Sequence, residues 1–293
     1  MRLVTGTAQL GLDYGVANES GMPDIHRALE IVEQSFRNGI NCFDTAKCYG
    51  EAESVLGECF SMLSSDYVRE ASVITKIATL GSREEIDSQI QDSIDKLQLA
   101  KLAGVMLHSP SELYEADEAV LEHFFNLTNS GSVGKVGVSV YTVDEAELAV
   151  EKFGAKIIQV PSNLFDRSFV DAGFFQKCRE RGVRVYVRSL FLQGLFFLPL
   201  TSPQLKGIPG AHQALVLLHA FCERHACSIQ ELCFADAARF MEGDLVIGAE
   251  KPEQLLKNID FAKKAENRLD IAEAWKSELN KLGPVLVDPR KWR

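Results

Sequence analysis

One pattern constrains this chain more than any other: eight short β-rich runs alternate with amphipathic stretches along its 293 residues. The runs fall at residues 2–8, 40–45, 72–77, 102–108, 135–140, 156–160, 183–189 and 244–248. The intervening stretches, at residues 24–38, 52–62, 83–99, 115–129, 143–153, 172–181, 211–225, 228–241 and 252–264, carry apolar residues at helical spacing. Several runs are almost wholly apolar, as in Gly104-Val105-Met106-Leu107. Strands buried on both faces look like this, which marks a parallel sheet covered by helices. Strand–helix alternation implies right-handed parallel crossovers. Eight such units in this length predict an α/β fold of the (β/α)8 barrel type rather than a doubly wound sheet. A dinucleotide fold of the second kind would show G-x-G-x-x-G after its first strand, and Gly6-Thr7-Ala8-Gln9-Leu10-Gly11 does not match. Ser82 is the expected N-cap of the stretch at 83–99, with Glu85 completing a capping box. Residues 271–282 read as an extra C-terminal helix outside the repeat. No linker, low-complexity tract or block of like charge interrupts the chain, so a single domain over 1–293 is expected.

Composition removes several classes of function. At 46% hydrophobic and 25% charged residues, the chain has ample material for a core. Its 31 basic against 41 acidic residues leave a net charge of −10, which argues against a nucleic-acid surface. The basic end at 288–293 is too short for a binding arm. No apolar run approaches the ~18 residues of a membrane span, and the N-terminus lacks the apolar core of a signal peptide. The seven cysteines form no C-x-x-C pair, as expected of a reduced, cytoplasmic chain. Neither a metal site nor an obligate protein partner is expected.

In a barrel, chemistry gathers at the C-terminal ends of the strands. Those ends carry Asp44, with Tyr49 just beyond, then Lys76, His108, Ser139 and Gln159. Each has an ordinary explanation when taken alone. A lysine after a strand is usually solvated, an aspartate can cap or turn, and a lone histidine is commonly structural. The joint occurrence of Asp44, Tyr49, Lys76 and His108 on three consecutive strands shifts the balance toward a site. Burying an isolated charge is costly, so Asp44 and Lys76 are expected to pair.

The segment from Phe43-Asp44-Thr45-Ala46-Lys47-Cys48-Tyr49-Gly50 through Glu53 and Leu56-Gly57 resembles the D-T-A-x-x-Y-G-x-x-E-x-x-L-G signature of the aldo-keto reductase family. Val73-Ile74-Thr75-Lys76, Leu107-His108-Ser109-Pro110, Lys135-Val136-Gly137-Val138-Ser139, the segment 188–195 and the segment 247–258 resemble later landmarks of that family, in order. The resemblance places a catalytic tetrad on Asp44, Tyr49, Lys76 and His108. It implies reversible NAD(P)H-dependent reduction of an aldehyde or ketone. Tyr49 would be the acid/base, Lys76 and Asp44 would tune it downward, and His108 would orient the carbonyl. It further implies cofactor contacts from Gly6, Thr7, Ser139, Gln159, Arg188, Ser189, Leu190, Gln193, Gly194, Gly248, Lys251, Gln254 and Asn258. NADPH is the expected cofactor, with NADH left open, and a small-molecule carbonyl is the expected partner.

Three positions depart from the family pattern. Val140 follows Ser139 where many members have Asn. Arg188 stands where many have an aromatic residue against the nicotinamide, so its guanidinium either stacks there or binds an anionic substrate group. Glu250 lies beside Lys251 near the implied 2′-phosphate site. The chain starts directly on its first strand and ends soon after its last helix, from which an open pocket and a sugar-like substrate are expected. Two other readings are an aldolase using Lys76 as a Schiff-base nucleophile and a non-catalytic nucleotide-binding regulatory subunit. Cys48, beside Tyr49, is expected at the barrel mouth.

Overall fold

The structure is a computed structural model that describes residues 1–279, 281–283 and 285–292. Eight parallel strands close into a barrel in chain order. They are β1 (Arg2–Gly6), β2 (Cys42–Asp44), β3 (Ser72–Ile77), β4 (Gly104–Leu107), β5 (Val136–Ser139), β6 (Ile157–Pro161), β7 (Arg184–Arg188) and β8 (Asp244–Gly248). Closure is made by β1 against β8, in register from Arg2↔Asp244 to Gly6↔Gly248. The expected (β/α)8 architecture is therefore the observed one.

Two apolar layers hold it. Val4, Cys42, Ile74, Met106, Ile157 and Tyr186 pack together as one cluster, contributed by strands around the barrel. A much larger cluster includes strand residues such as Phe43, Val105 and Val187 together with Ile31, Leu56, Ile90 and Leu255 of the helices. The strand alternation seen in the sequence thus divides residues between two packed faces, and burying both faces is the main stabilising contribution.

Strands β2 and β4 are shorter than the sequence runs. Thr45 N still donates to Ile74 O and His108 N to Ile77 O, but regular pairing ends there and the chain turns over the barrel mouth. The helix Arg83–Leu97 starts with the expected capping box on Ser82 and Glu85, and stops two residues early where Gln98 turns left-handed. Two expected helices differ in their bounds. A short helix Glu112–Glu115 ends where the expected 115–129 stretch begins, and Glu118–Phe125 and a short 3-10 turn follow, because the Asp117 carboxylate accepts from Ala119 N and starts a new helix. The helix expected at 172–181 is Phe174–Glu180, starting after Gly173 at φ 65°, with a separate short helix Ser168–Asp171 before it.

The extra C-terminal helix is Leu269–Leu279, beginning two residues before the expected start. Of its expected remainder, Asn280 lies outside the described residues, while Lys281 and Leu282 make turn bonds back to Glu278 and Leu279. Arg293, in the basic end, also lies outside them. Leu286 N donates to Pro209 O, and Trp292 Nε1 donates to Leu286 O at 2.8 Å, so the tail is held against the body. Among the described residues, no helix is long and apolar enough to cross a membrane, and no cluster of His, Cys, Asp or Glu could hold a metal.

Candidate active site

The site is built on the strand ends. Lys76, from β3, donates from Nζ to both oxygens of Asp44, at 2.8 and 2.7 Å, and to Thr45 O at 3.0 Å. Both side chains are essentially buried, at 1% and 4% exposure, so the pair is desolvated and fully hydrogen-bonded rather than a surface ion pair. Gln159, from β6, donates to Asp44 Oδ1 at 2.8 Å, and Ser139 Oγ donates to Gln159 Oε1 at 3.4 Å. Asp44 is therefore clamped from two sides. Beneath it, Thr75 Oγ1 donates to the buried Glu53 at 2.5 Å, tying the helix Ala52–Met62 to β3 beside Lys76.

Tyr49 OH lies 3.5 Å from Lys76 Nζ, and the His108 ring stands edge-on to Tyr49 at 5.7 Å between centroids. Its loop is held by a close backbone approach. A Cβ on Gly11 would lie 2.0 Å from Tyr49 O, and one on Gly50 would lie 2.3 Å from Gly11 O. Gly50 also has φ +56°, in the left-handed region that glycine adopts without strain. Exposed Cys48 lies beside the group, with Sγ 3.2 Å from His108 Nδ1.

The electrostatics differ from expectation at Tyr49. Burial pushes the phenol well above its ordinary pKa, and the charge of Asp44 and the neighbouring Tyr14 push it the same way; Arg188 opposes them. The expectation that Lys76 lowers Tyr49 thus fails in the protein alone, and the geometry explains why. Burial is the larger cause, and the Lys76 ammonium is paired with Asp44, whose anion also raises the phenol. Burial also lowers Lys76 itself, with Asp44 pulling it back up. His108 is lowered to about 4 by burial and by the cations Lys76 and Arg188, so its ring is neutral at pH 7.

A cleft of about 460 Å³ runs from Tyr49 and Asp44 to the helix Pro252–Lys264. Of the residues expected to hold a cofactor, Gly6, Thr7, Gln159, Arg188, Ser189, Leu190, Gln193, Gly194, Gly248, Gln254 and Asn258 line it. Ser139 sits behind Gln159, and Lys251 lies at the start of the helix; neither lines the cleft. Gln254 Oε1 accepts from Glu250 N and Lys251 N, so part of its capacity caps the helix. Tyr14, Gln9 and Lys257 line the cleft and were not among the expected residues. Lys257 had a signal in the sequence, standing with Asn258 at helical spacing i+3 and i+4 from Gln254. Tyr14 had none, because it comes from a loop without periodicity.

The walls leave room for an extended ligand. Ser189, Leu192, Gln193 and Gly194 all have positive φ, so the loop after β7 curls across the cleft, and Gln193 O accepts from Val16 N at 2.9 Å. Three non-glycine residues in this sparsely populated region are a local cost that accompanies functional loops. Arg188 donates to Val140 O at 3.1 Å and to Ser189 Oγ at 3.3 Å, with its guanidinium 4.3 Å from the centre of the Tyr141 ring. Val140 thus contributes its carbonyl, while its side chain is buried.

The model of the aldo/keto reductase family matches residues 2–276. This chain belongs to the aldo-keto reductase family. A D-arabinose 1-dehydrogenase of Saccharomyces cerevisiae is 29% identical over 151 residues, covering 48% of this chain and 43% of that protein. The chain spans about half the length of the curated relatives it matches. Among solved structures, a glycerol dehydrogenase from Gluconobacter oxydans has a TM-score of 0.72 at 18% identity, covering 98% of this chain and 94% of that one. An aldo-keto reductase from Bacillus halodurans, in its holo form, has a TM-score of 0.72 at 20% identity, covering 93% and 91%. At these identities the solved structures speak for the fold, and the family match carries the membership.

The family's nicotinamide cofactors are long polyanions, and the residues present suit one. The cleft is elongated, its β7 loop turns through left-handed residues, and Arg188 and Lys257 are cations along its length.

Proposed function

We propose that this aldo-keto reductase is an NAD(P)H-dependent oxidoreductase that reversibly reduces an aldehyde or ketone to the alcohol. The observation that carries the reading is the connected group Asp44–Lys76–Tyr49–His108, of which Asp44 and Tyr49 line the cleft. When bound, the nicotinamide supplies the hydride. Negative charge then develops on the carbonyl oxygen and calls for a proton. Tyr49, whose phenol is protonated at neutral pH, donates it. Lys76, 3.5 Å away, faces the phenolate as the proton leaves, and Asp44 and Gln159 hold Lys76 and its carboxylate partner in place. His108, neutral, offers a hydrogen bond to the carbonyl oxygen without adding a charge.

We assign NADPH as the preferred cofactor on the strength of Lys257 at the far end of the cleft. Glu250 also lines that end, its carboxyl raised by burial. The relative named for D-arabinose supports a sugar-like carbonyl compound as substrate. The aldolase reading is disfavoured by Lys76, whose ammonium is held by three acceptors at 1% exposure and cannot reach a carbonyl carbon without leaving them.

Two measurements test the proposal. Fluorescence titration should show binding of NADPH, more tightly than NADH, and a carbonyl panel should show turnover. Tyr49→Phe should cut hydride transfer by orders of magnitude with nucleotide affinity nearly unchanged. Failure of both nucleotides to bind ends the proposal, and full turnover in Tyr49→Phe removes Tyr49 from its role.

A further inference from the structure

Charge around Tyr49 does not balance, and the imbalance there falls on one residue. Lys76 is neutralised by Asp44 at 2.7 Å. Arg290, which reaches back from the tail to stand 3.2 Å from the centre of the Tyr141 ring, is neutralised by Asp288, with guanidinium–carboxylate bonds at 2.9 and 2.8 Å. Arg188 shares that ring and lines the cleft with Tyr49, yet among the described residues it forms no ion pair. Its hydrogen bonds go to a carbonyl and a hydroxyl, Val140 O and Ser189 Oγ, which orient the guanidinium but leave its charge uncompensated. It is close enough to act electrostatically on Tyr14, Tyr49, Lys76 and His108.

A planar fork stacked on an aromatic ring, with its charge unopposed, is how proteins present a binding group for a carboxylate or phosphate. We propose that the carbonyl substrate carries an anionic group of this kind, and that Arg188 is the residue that selects it. The inference rests on the reductase reading and deepens it. Tyr141 is the platform: its backbone N–H is held by Glu145 Oε2 at 2.7 Å, and Arg290 lies against the same ring. Arg188 would hold one end of the substrate while the carbonyl oxygen meets Tyr49 and His108. Fixing both ends of a short molecule raises the population of reactive geometry. The other source of the same chemistry is the cofactor's own phosphate, and the experiment separates the two.

The test compares matched aldehydes, succinic semialdehyde and butanal, which share chain length and differ by a carboxylate. The wild-type enzyme should prefer the first in kcat/KM by at least tenfold. In Arg188→Gln that preference should fall by about tenfold or more, mainly through KM, and Arg188→Lys should restore part of it. Succinate, which cannot react, should bind the wild-type protein in calorimetric titration and bind Arg188→Gln at least tenfold more weakly. Equal use of both aldehydes by the wild type overturns the proposal. So does a loss in Arg188→Gln that falls equally on both aldehydes and is matched by the rise in NADPH Kd, which would assign Arg188 to the cofactor. A protein that turns over neither aldehyde refutes the reductase reading, and the succinate titration then decides the anion site by itself.

Discussion

Asp44 is the residue on which the site turns, because it serves three groups at once: it accepts from Lys76 with both oxygens, accepts from Gln159, and raises Tyr49. Removing one partner of a buried pair leaves an uncompensated charge, typically at a cost of about 3–5 kcal/mol. Asp44→Ala should therefore lower unfolding stability by about that much in urea titration, far more than any exposed carboxylate would. A loss under about 1 kcal/mol would mean that water reaches Lys76. The direction of the Tyr49 shift makes a separate prediction. A phenol held well above its ordinary pKa stays a proton donor through neutral and mildly alkaline pH. The rate of carbonyl reduction should then be nearly flat from about pH 6 to 9, while alcohol oxidation, which needs the phenolate, should climb throughout that range. Mirror-image profiles crossing near pH 7 would show that the bound cofactor brings Tyr49 down.

Among the elements, the turn Ala8–Gly11 and the loop carrying Tyr49 show how backbone contact sets a side chain. Their approach has no room for a Cβ on Gly11, which would meet Tyr49 O at 2.0 Å and Ala52 N at 2.3 Å. Both neighbours are backbone atoms that cannot swing aside. Gly11→Ala should cost about 1–3 kcal/mol of stability as an overpacked site and lower kcat by displacing Tyr49, a pairing that steady-state kinetics and urea titration would show together. Retained kcat with lost stability would mean that the loop relaxes without moving the phenol. This contact was invisible in the sequence, where Gly11 read only as part of a failed nucleotide-binding pattern. The strands and most helices were legible because their signals are local: apolar runs, 3.6-residue spacing, and the Ser82–Glu85 cap. The helix starts after Asp117 and Gly173 were missed because a polar residue or a glycine within or at the edge of an amphipathic stretch is compatible with either outcome until tertiary packing decides. The grouping of Asp44, Lys76, Tyr49 and His108 was legible because strand ends converge in any closed barrel. The direction of the Tyr49 shift was not, since it depends first on how deeply the phenol is buried and then on the nearby Asp44 charge, which no spacing encodes.

The molecule as a whole carries −10, yet most of its buried charges stand in a few discrete pairs, and these bear on how stability follows pH. Away from the tetrad, Arg167 Nη1 donates to Asp236 Oδ1 at 2.6 Å beneath the ring of Phe240. Neither Asp236 Oδ2 nor Arg167 Nε and Nη2 has a partner. Asp236 pays for this burial: its carboxyl is raised to about 6 despite Arg167. A raised carboxylate binds more protons folded than unfolded between its ordinary pKa and about 6, so its contribution to stability declines as pH rises through that window. His108, lowered to about 4, has the opposite sign: the unfolded chain binds its proton first, so stability is lost as pH falls from the ordinary histidine range. The two slopes oppose each other between about pH 4 and 6 and partly cancel in the wild type. Asp236→Asn removes one of them. The variant should be less stable overall, having left Arg167 with an uncompensated charge, but its urea midpoint should rise more steeply with pH across that window than the wild type's. Parallel curves for the two proteins would show that Asp236 is ionised throughout, and hence that water or a further donor reaches its unpartnered oxygen.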